Sequence, residues 1–394
     1  MSILDPVYTE RQARFVALAA ELAERIAPRA ATYDRENSFA YADFDDLKAA
    51  GYLALTVPDA DGGMGANLGE FVRAQGQLAE ANGATALSST MTLSTLGREG
   101  QFRSWPAAIR EKVFAAAVRE GATINSLATE PEAGSPSRGG KLATTAQRVE
   151  GGWLLNGRKT WSSLSPILTF MIVSAAIADE DTVGSFLVTR GAPGITVVPT
   201  WDSLGMRATG SNDVLLKDVF VPDMDVFSAG KKADPKAVDA AAGSDSRAWG
   251  ALPVSATYLG VAMAARNATV KFAIERVPTS LGRPIATVPA IQAKIGEIDV
   301  ALVAARTLLW AVADEWDATQ MKRPGFGGRV AAAKTTATNT AVHVVDLAMR
   351  VVGGASLGRD LPLERYYRDV RAGLHNPPMD DQTFTLAGRD ALGQ

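Results

Sequence analysis

The chain has 394 residues, of which 47% are hydrophobic and 21% charged, with a formal net charge of −3. That length allows two or three buried cores, and the near-neutral balance argues against a nucleic-acid partner, which needs a clustered basic surface. There is no cysteine, which excludes disulfides, thiol nucleophiles and thiolate metal sites.

The opening "MSILDPVYTERQARF" turns polar too soon for a signal peptide, so a cytoplasmic protein is expected. Thr9 and Gln12 have the spacing of a capping box, and Phe15, Leu18, Leu22 and Ile26 form an apolar helical stripe behind it. Helical patterning continues, broken by turn-rich stretches such as "VPDADGGMGANLG". From residue 124 the texture becomes β-rich: "QRVEGGWLLNG" reads as a hairpin around Gly151-Gly152, followed by "SFLVTRGAPGITVVP" and "NDVLLKDVFVP". The apolar run "ILTFMIVSAAIA" at 167–178 is well short of the ~20 residues that span a bilayer, and its β-branched content suits a buried strand. No membrane span is expected.

"SAGKKADPKAVDAAAGSDS", from 228, reads as a loop. Beyond it Leu259, Met263, Val270 and Ile274 form one helical stripe, and Ile291, Ile295, Ile298, Leu302, Ala305 and Leu309 form another. The turn "KRPGFGG" precedes a third helix, from about Val330 to Val352. Helices, then strands, then helices favour an α+β fold over an alternating Rossmann sheet. The expected units are 1–123 helical, 124–228 β and 229–394 a helical bundle.

Several motifs lead nowhere. Gly63, Gly65 and Gly69 miss the spacing of a dinucleotide loop. "GASLG", from Gly354, follows a helix, whereas a nucleophile elbow needs a strand-to-helix turn. His343 reads as a structural residue, and neither histidine has metal-ligand spacing.

Two segments could hold a ligand. "LATEPEAGSPSRGG", 127–140, offers hydroxyls and backbone N–H groups in a Gly/Pro-rich turn. "NGRKTWSS", 156–163, places Trp161 two residues before Ser163, so an extended strand would point both to one face. An aromatic plane beside a hydroxyl suits a flat heteroaromatic cofactor. An ordinary turn and a core tryptophan would give the same pattern.

Here the chain resembles the acyl-CoA dehydrogenase superfamily over nearly its whole length. The carriers are "LTVPDADGGMG", "TEPEAGS", "NGRKTWSS", "LGMRATGSNDVLLKDVFVP", "RVVGGASL" and "LERYYRD", in the family's order. The resemblance implies an N-terminal helical domain, a central β-barrel-like domain and a C-terminal four-helix bundle, assembled as a homotetramer around FAD. It implies that the backbone at Leu127 and the Thr129 hydroxyl meet the flavin's pyrimidine edge. It also puts Ser135 near the pyrophosphate or thioester, Trp161 on the ring and Ser163 near N5. Arg276 matches the arginine that reaches the pyrophosphate across an interface, Gly353 and Gly354 the paired glycines at the nucleotide, and Arg350 takes a glutamine position there.

The family's base is a carboxylate, whose pKa burial can tune towards neutrality. Its two known positions correspond here to Pro377 and to about Gly250, neither ionisable. His375, Asp380 and Asp381 remain nearby. An unperturbed imidazole titrates near neutrality, so His375 is the candidate for proton transfer, while the aspartates suit the start of the next helix. "LHNP" also resembles the sister branch of flavin-dependent monooxygenases, which take reduced FMN or FAD from a reductase and need no α-proton base. In that branch a nearby histidine is thought to assist.

Three functions are therefore expected, in this order. The first is FAD-dependent dehydrogenation of an acyl-CoA, with an electron-transfer flavoprotein as partner. The second is two-component oxygenation of another small molecule, and the third a flavoprotein without catalysis that serves in assembly.

Overall fold

The computed structural model describes residues 3–131, 142–178, 180, 182–232, 247–319 and 326–393. Helix α1 (Glu10–Ile26) starts at Thr9, whose hydroxyl accepts the Gln12 N–H while the Gln12 side chain accepts the Thr9 N–H. Phe15, Leu22 and Ile26 are buried, and Leu18 packs against them. Helices α2 (Ala30–Glu36), α3 (Tyr41–Ala49), α4 (Leu68–Ala79), α5 (Gly83–Phe102) and α6 (Ala107–Glu120) follow. The glycine-rich stretch before α4 is a turn that ends in a second capping box, formed by Asn67 and Glu70.

Eight strands come next: β1 (Ile124–Leu127), β2 (Thr145–Val149), β3 (Gly152–Ser162), β4 (Phe170–Ile177), β5 (Thr182–Thr189), β6 (Ile195–Val198), β7 (Asn212–Pro222) and β8 (Val226–Lys232). They form one sheet in the order β6-β7-β3-β2-β4-β5-β8, with β1 beside β4. Trp153 on β3 and Phe186 on β5 have ring centroids 5.6 Å apart, although three strand spacings would separate them by roughly 14 Å in a flat sheet. The sheet is therefore strongly curled and barrel-like. On its other side Phe170, Ile172 and Leu187 form a second core with Trp105, Ile109, Val113 and Phe114, which seats the sheet against α6.

Two boundaries differ from the sequence reading. The hairpin turns at Glu150-Gly151, with Gly151 at φ +74°, and Gly152 already pairs with Val149. Ser228–Lys232 is strand, since Ser228 pairs with Ser185 and Lys232 with Thr182. An edge strand of small polar residues is held by its backbone ladder, which composition does not reveal. The remainder of that expected loop, 233–246, lies outside the described residues.

The C-terminal bundle comprises α7 (Arg247–Glu275), α8 (Pro289–Thr319), α9 (Phe326–Val352) and the shorter α10 (Leu363–Arg371) and α11 (Asp380–Ala391). In the turn expected before α9, 320–325 lie outside the described residues and Phe326 already starts the helix. Ile298, Leu302, Ala305 and Leu309 are buried as expected. On α7, however, Ile274 is exposed. Most of this helix is apolar on every side, and small residues set its contacts. Both α7 and α9 are long and apolar enough to cross a membrane, yet the apolar window of α7 is 89% buried inside the protein.

Helix α4 crosses α7 closely, since a Cβ on Gly260 would lie 2.2 Å from the Gly76 carbonyl oxygen. Because that contact is backbone, Gly260→Ala is expected to cost about 1–3 kcal/mol. A urea unfolding midpoint that does not fall would contradict this close approach.

Candidate functional site

The site grows from an irregularity in β3. The β3–β7 register slips between Lys159 and Ser162, and inside the slip Trp161 takes φ +55°. A bulge of this kind re-aims a side chain, and left-handed backbone is costly for a residue with a Cβ. The indole is 65% exposed and held edge-on by Trp201, with centroids 5.0 Å apart. Trp161 is therefore a shelf and not a core residue. Ser163 lies beyond the end of the strand, its N–H bonded to the Trp161 carbonyl at 2.9 Å. The bulge and this turn, not a regular extended strand, relate the two residues.

Leu127 and Thr129 join the same neighbourhood. Leu127 is buried opposite Val173 of β4, the Thr129 carbonyl accepts the Thr160 N–H at 2.9 Å, and the Asn125 amide donates to the Ser163 carbonyl at 3.0 Å. Ser135 lies outside the described residues.

A buried ion pair missed in the sequence fixes this arrangement. Lys159 Nζ donates to Glu130 at 2.5 Å and to the Ser174 carbonyl at 2.7 Å, and both charged side chains are fully buried. Glu130 also accepts the backbone N–H groups of Ala143 and Thr144. Burial alone would raise the Glu130 carboxyl, but bonds from Lys159, Thr144 and Ala143 outweigh it and hold the group below its ordinary value. The pair clips the end of the 127–131 segment to the strand that carries Trp161.

A second set of contacts brings the C-terminal motif to this shelf. Asp369, a buried residue, accepts the Met206 N–H at 2.6 Å, and the Met206 carbonyl accepts the Trp201 indole N–H at 3.3 Å. Burial pushes the Asp369 carboxyl up to about 6, opposed by that N–H. Arg368 makes a two-pronged bond to Asp34 of α2 at 2.8 and 2.5 Å and donates to the Leu204 carbonyl at 2.9 Å. Gly205 permits the approach, since a Cβ there would lie 2.5 Å from the Arg368 backbone.

Beyond the clamp, His375 is exposed. Its neighbour Asn376 accepts a 2.6 Å bond from Tyr258, a fully buried phenol on α7 that burial keeps protonated. The segment containing Pro377 is thereby pinned to α7 eight residues from Gly250, about 12 Å along the helix. A Cβ on Gly250 would meet nothing within 4 Å, so open space adjoins it. Asp380 is engaged elsewhere: Asn339 donates to it at 2.7 Å, and the buried Lys334 ammonium lies 3.9 Å away. Asp381 is exposed in the first turn of α11.

Arg276 follows the last residue of α7, and Arg350, Gly353 and Gly354 lie at the C-terminal end of α9. They are exposed, Arg350 paired with Asp346 at 2.7 Å and Gly353 at φ +71°. No hydrogen bond or ion pair among the described residues joins them to the shelf. Of the motifs set aside in the sequence, Ser356 is buried and His343 makes an exposed pair with Glu297 at 3.2 Å. Among the described residues no cluster could hold a metal.

The models of the acyl-CoA dehydrogenase N-terminal, middle and C-terminal domains match residues 9–108, 126–219 and 246–374. The chain belongs to the acyl-CoA dehydrogenase family. A putative acyl-CoA dehydrogenase of Bacillus subtilis (strain 168), YdbM, is 40% identical over 98% of each chain. The benzylmalonyl-CoA dehydrogenase of Aromatoleum aromaticum is 36% identical, covering 88% of this chain and 89% of that one. The crystal structure of a nitrososynthase from Micromonospora carbonacea var. africana superposes with a TM-score of 0.85 at 28% identity, covering 100% of this chain and 99% of that one.

Lys159→Met would strand a buried carboxylate and is expected to cost roughly 3–5 kcal/mol at neutral pH. Glu130 titrates below its ordinary value in the folded protein, so the stabilisation is complete above the ordinary glutamate range and lost as pH falls through the folded value. The gap between wild type and variant in urea should therefore narrow on acidification. A gap that widened would contradict the pairing.

Proposed function

We propose that the protein holds a reduced flavin on the Trp161 shelf and uses it with oxygen to oxygenate a small molecule. The observation that carries this reading is the missing carboxylate: Pro377 and Gly250 stand where acyl-CoA dehydrogenases keep their base. Asp380, the nearest described alternative on that segment, is engaged by Lys334 and Asn339. A reaction that removes no α-proton does not need the group.

The shelf fits a flavin on its own chemistry. An exposed indole held by bulged backbone offers an apolar plane, and the Ser163 hydroxyl and the Leu127–Thr129 backbone offer polar contacts for a ring edge. The bound flavin supplies two-electron transfer and, in its reduced form, reaction with oxygen. The chain's own residues bind and orient. Trp161 seats the ring, Ser163 and Thr129 meet its edge, and Tyr258 holds Asn376 so that His375 can carry a proton at the mouth of the cleft. Arg276, Arg350 and Gly353–Gly354 serve the nucleotide end from a neighbouring copy in a homotetramer. A flavin reductase supplies the reduced cofactor.

The names of two relatives, both dehydrogenases, favour the second reading, dehydrogenation of an acyl-CoA by resident FAD with an electron-transfer flavoprotein as acceptor. An anaerobic titration separates the two. Short, medium and branched acyl-CoAs should leave the oxidised-flavin band of the loaded protein unchanged, while aerobic addition of reduced FMN or FAD should give a reoxidation phase slower than that of free flavin. Bleaching by any thioester would overturn the oxygenase reading. Once a substrate is found, His375→Ala should lower oxygenated product about 10²-fold without changing flavin affinity. Unchanged turnover would remove His375 from the chemistry.

A further inference from the structure

Three hydroxyl groups run inward from the shelf. Ser163 Oγ lies 2.8 Å from Ser211 Oγ, Ser211 Oγ lies 2.8 Å from Thr209 Oγ1, and Thr209 Oγ1 lies 3.0 Å from the Met206 carbonyl oxygen. Ser211 and Thr209 are buried, 5% and 1% exposed, whereas Ser163 is half-buried at the shelf.

Counting protons gives the chain a direction. A carbonyl only accepts, so the single Thr209 hydroxyl proton points at Met206. Thr209 then receives from Ser211, and Ser211, its own proton committed, receives from Ser163. The Ser163 proton is therefore directed into the protein, and its oxygen turns only lone pairs to the cleft. The opposite direction would give up the bond to the Met206 carbonyl, so the inward arrangement makes one more bond inside the protein.

We propose that Ser211 and Thr209 act as positioning residues that commit the Ser163 hydroxyl inward, so that the shelf prefers a reduced flavin over an oxidised one. Reduction adds hydrogen to edge nitrogens of the ring, which turns bare acceptors into N–H donors. An oxygen that can only accept matches the reduced edge and meets the oxidised edge lone pair to lone pair. The inference rests on the reading that the flavin lies on Trp161 with an edge at Ser163. It deepens that reading, since a protein that receives flavin already reduced gains from preferring that form.

The test is equilibrium binding of oxidised and dithionite-reduced FAD, and of FMN as a truncated probe, under anaerobic conditions. Wild type should bind the reduced forms more tightly. Ser211→Ala and Thr209→Val free the Ser163 proton to turn outward and should narrow the oxidised-to-reduced Kd ratio about fivefold, the size of one hydrogen bond. For a two-electron couple at 29.6 mV per decade, that equals a fall of about 20 mV in the bound flavin's potential. Ser211→Thr, which keeps the hydroxyl, should restore the ratio. Ser162→Ala should leave it unchanged, because Ser162 Oγ is buried outside the chain of hydroxyls.

If both flavin forms still bind to Ser211→Ala and Thr209→Val with the wild-type ratio, the inference is wrong and the seat stands. If Trp161→Ala binds flavin as wild type does, the seat itself is wrong and the inference falls with it.

Discussion

The polar seam behind the candidate site hangs on the clamp made by Arg368 and Asp369. One residue grips Asp34 of α2 and the Leu204 carbonyl, and the next accepts the Met206 N–H from a buried position. Burying a carboxylate costs several kcal/mol, and Asp369 shows it in a pKa raised to about 6. The fold keeps the group because the Met206 peptide is a junction. Its N–H is fixed from α10, while its carbonyl receives the indole N–H of Trp201 and the hydroxyl of Thr209. Trp201 steadies Trp161 and Thr209 anchors the hydroxyls behind Ser163. Helical and β elements thus share one polar seam, and the shelf is its outer edge.

The shelf and the region around Pro377 and Gly250 depart from local preference in opposite senses. Trp161 adopts a strained backbone and leaves an indole in solvent. Around Pro377 and Gly250 the departure is a missing charge, with Tyr258 spending its phenol on Asn376 to keep the segment in place. On the proposed reading the strained shelf seats a flavin while no carboxylate takes an α-proton, and that combination is the physical reason for proposing oxygen chemistry on this scaffold.

What was legible in the sequence was local. The Thr9–Gln12 box, the buried strand within 167–178 and the three long helices each rest on spacings of a few residues. The Trp161–Ser163 element was found by its motif, but its mechanism was misread, because a bulge and an extended strand share the same letters. Glu130 and Lys159 looked like ordinary polar residues 29 positions apart, and only the paired strands show that both are fully buried. The exposure of Ile274 was hidden for the converse reason: on a helix apolar all round, no stripe points anywhere. Ser211 and Thr209 carry no signal in the sequence, since their meaning lies in the direction of protons along a folded chain of hydroxyls.

Arg368 and its partner Asp34 are 334 residues apart. At 5–20 residues per second, a ribosome needs roughly 20–70 seconds to make the chain between them. Until then α2 and the 201–212 segment meet only through links such as Arg207 to the Asp34 carbonyl and Asn37 to the Trp201 carbonyl, without the grip of Arg368. The nascent chain therefore carries α1–α6 and the whole sheet before the seam can close. A chain cut short before Arg368 would keep most of its helices and strands and still lack the carboxylate that holds the Met206 N–H.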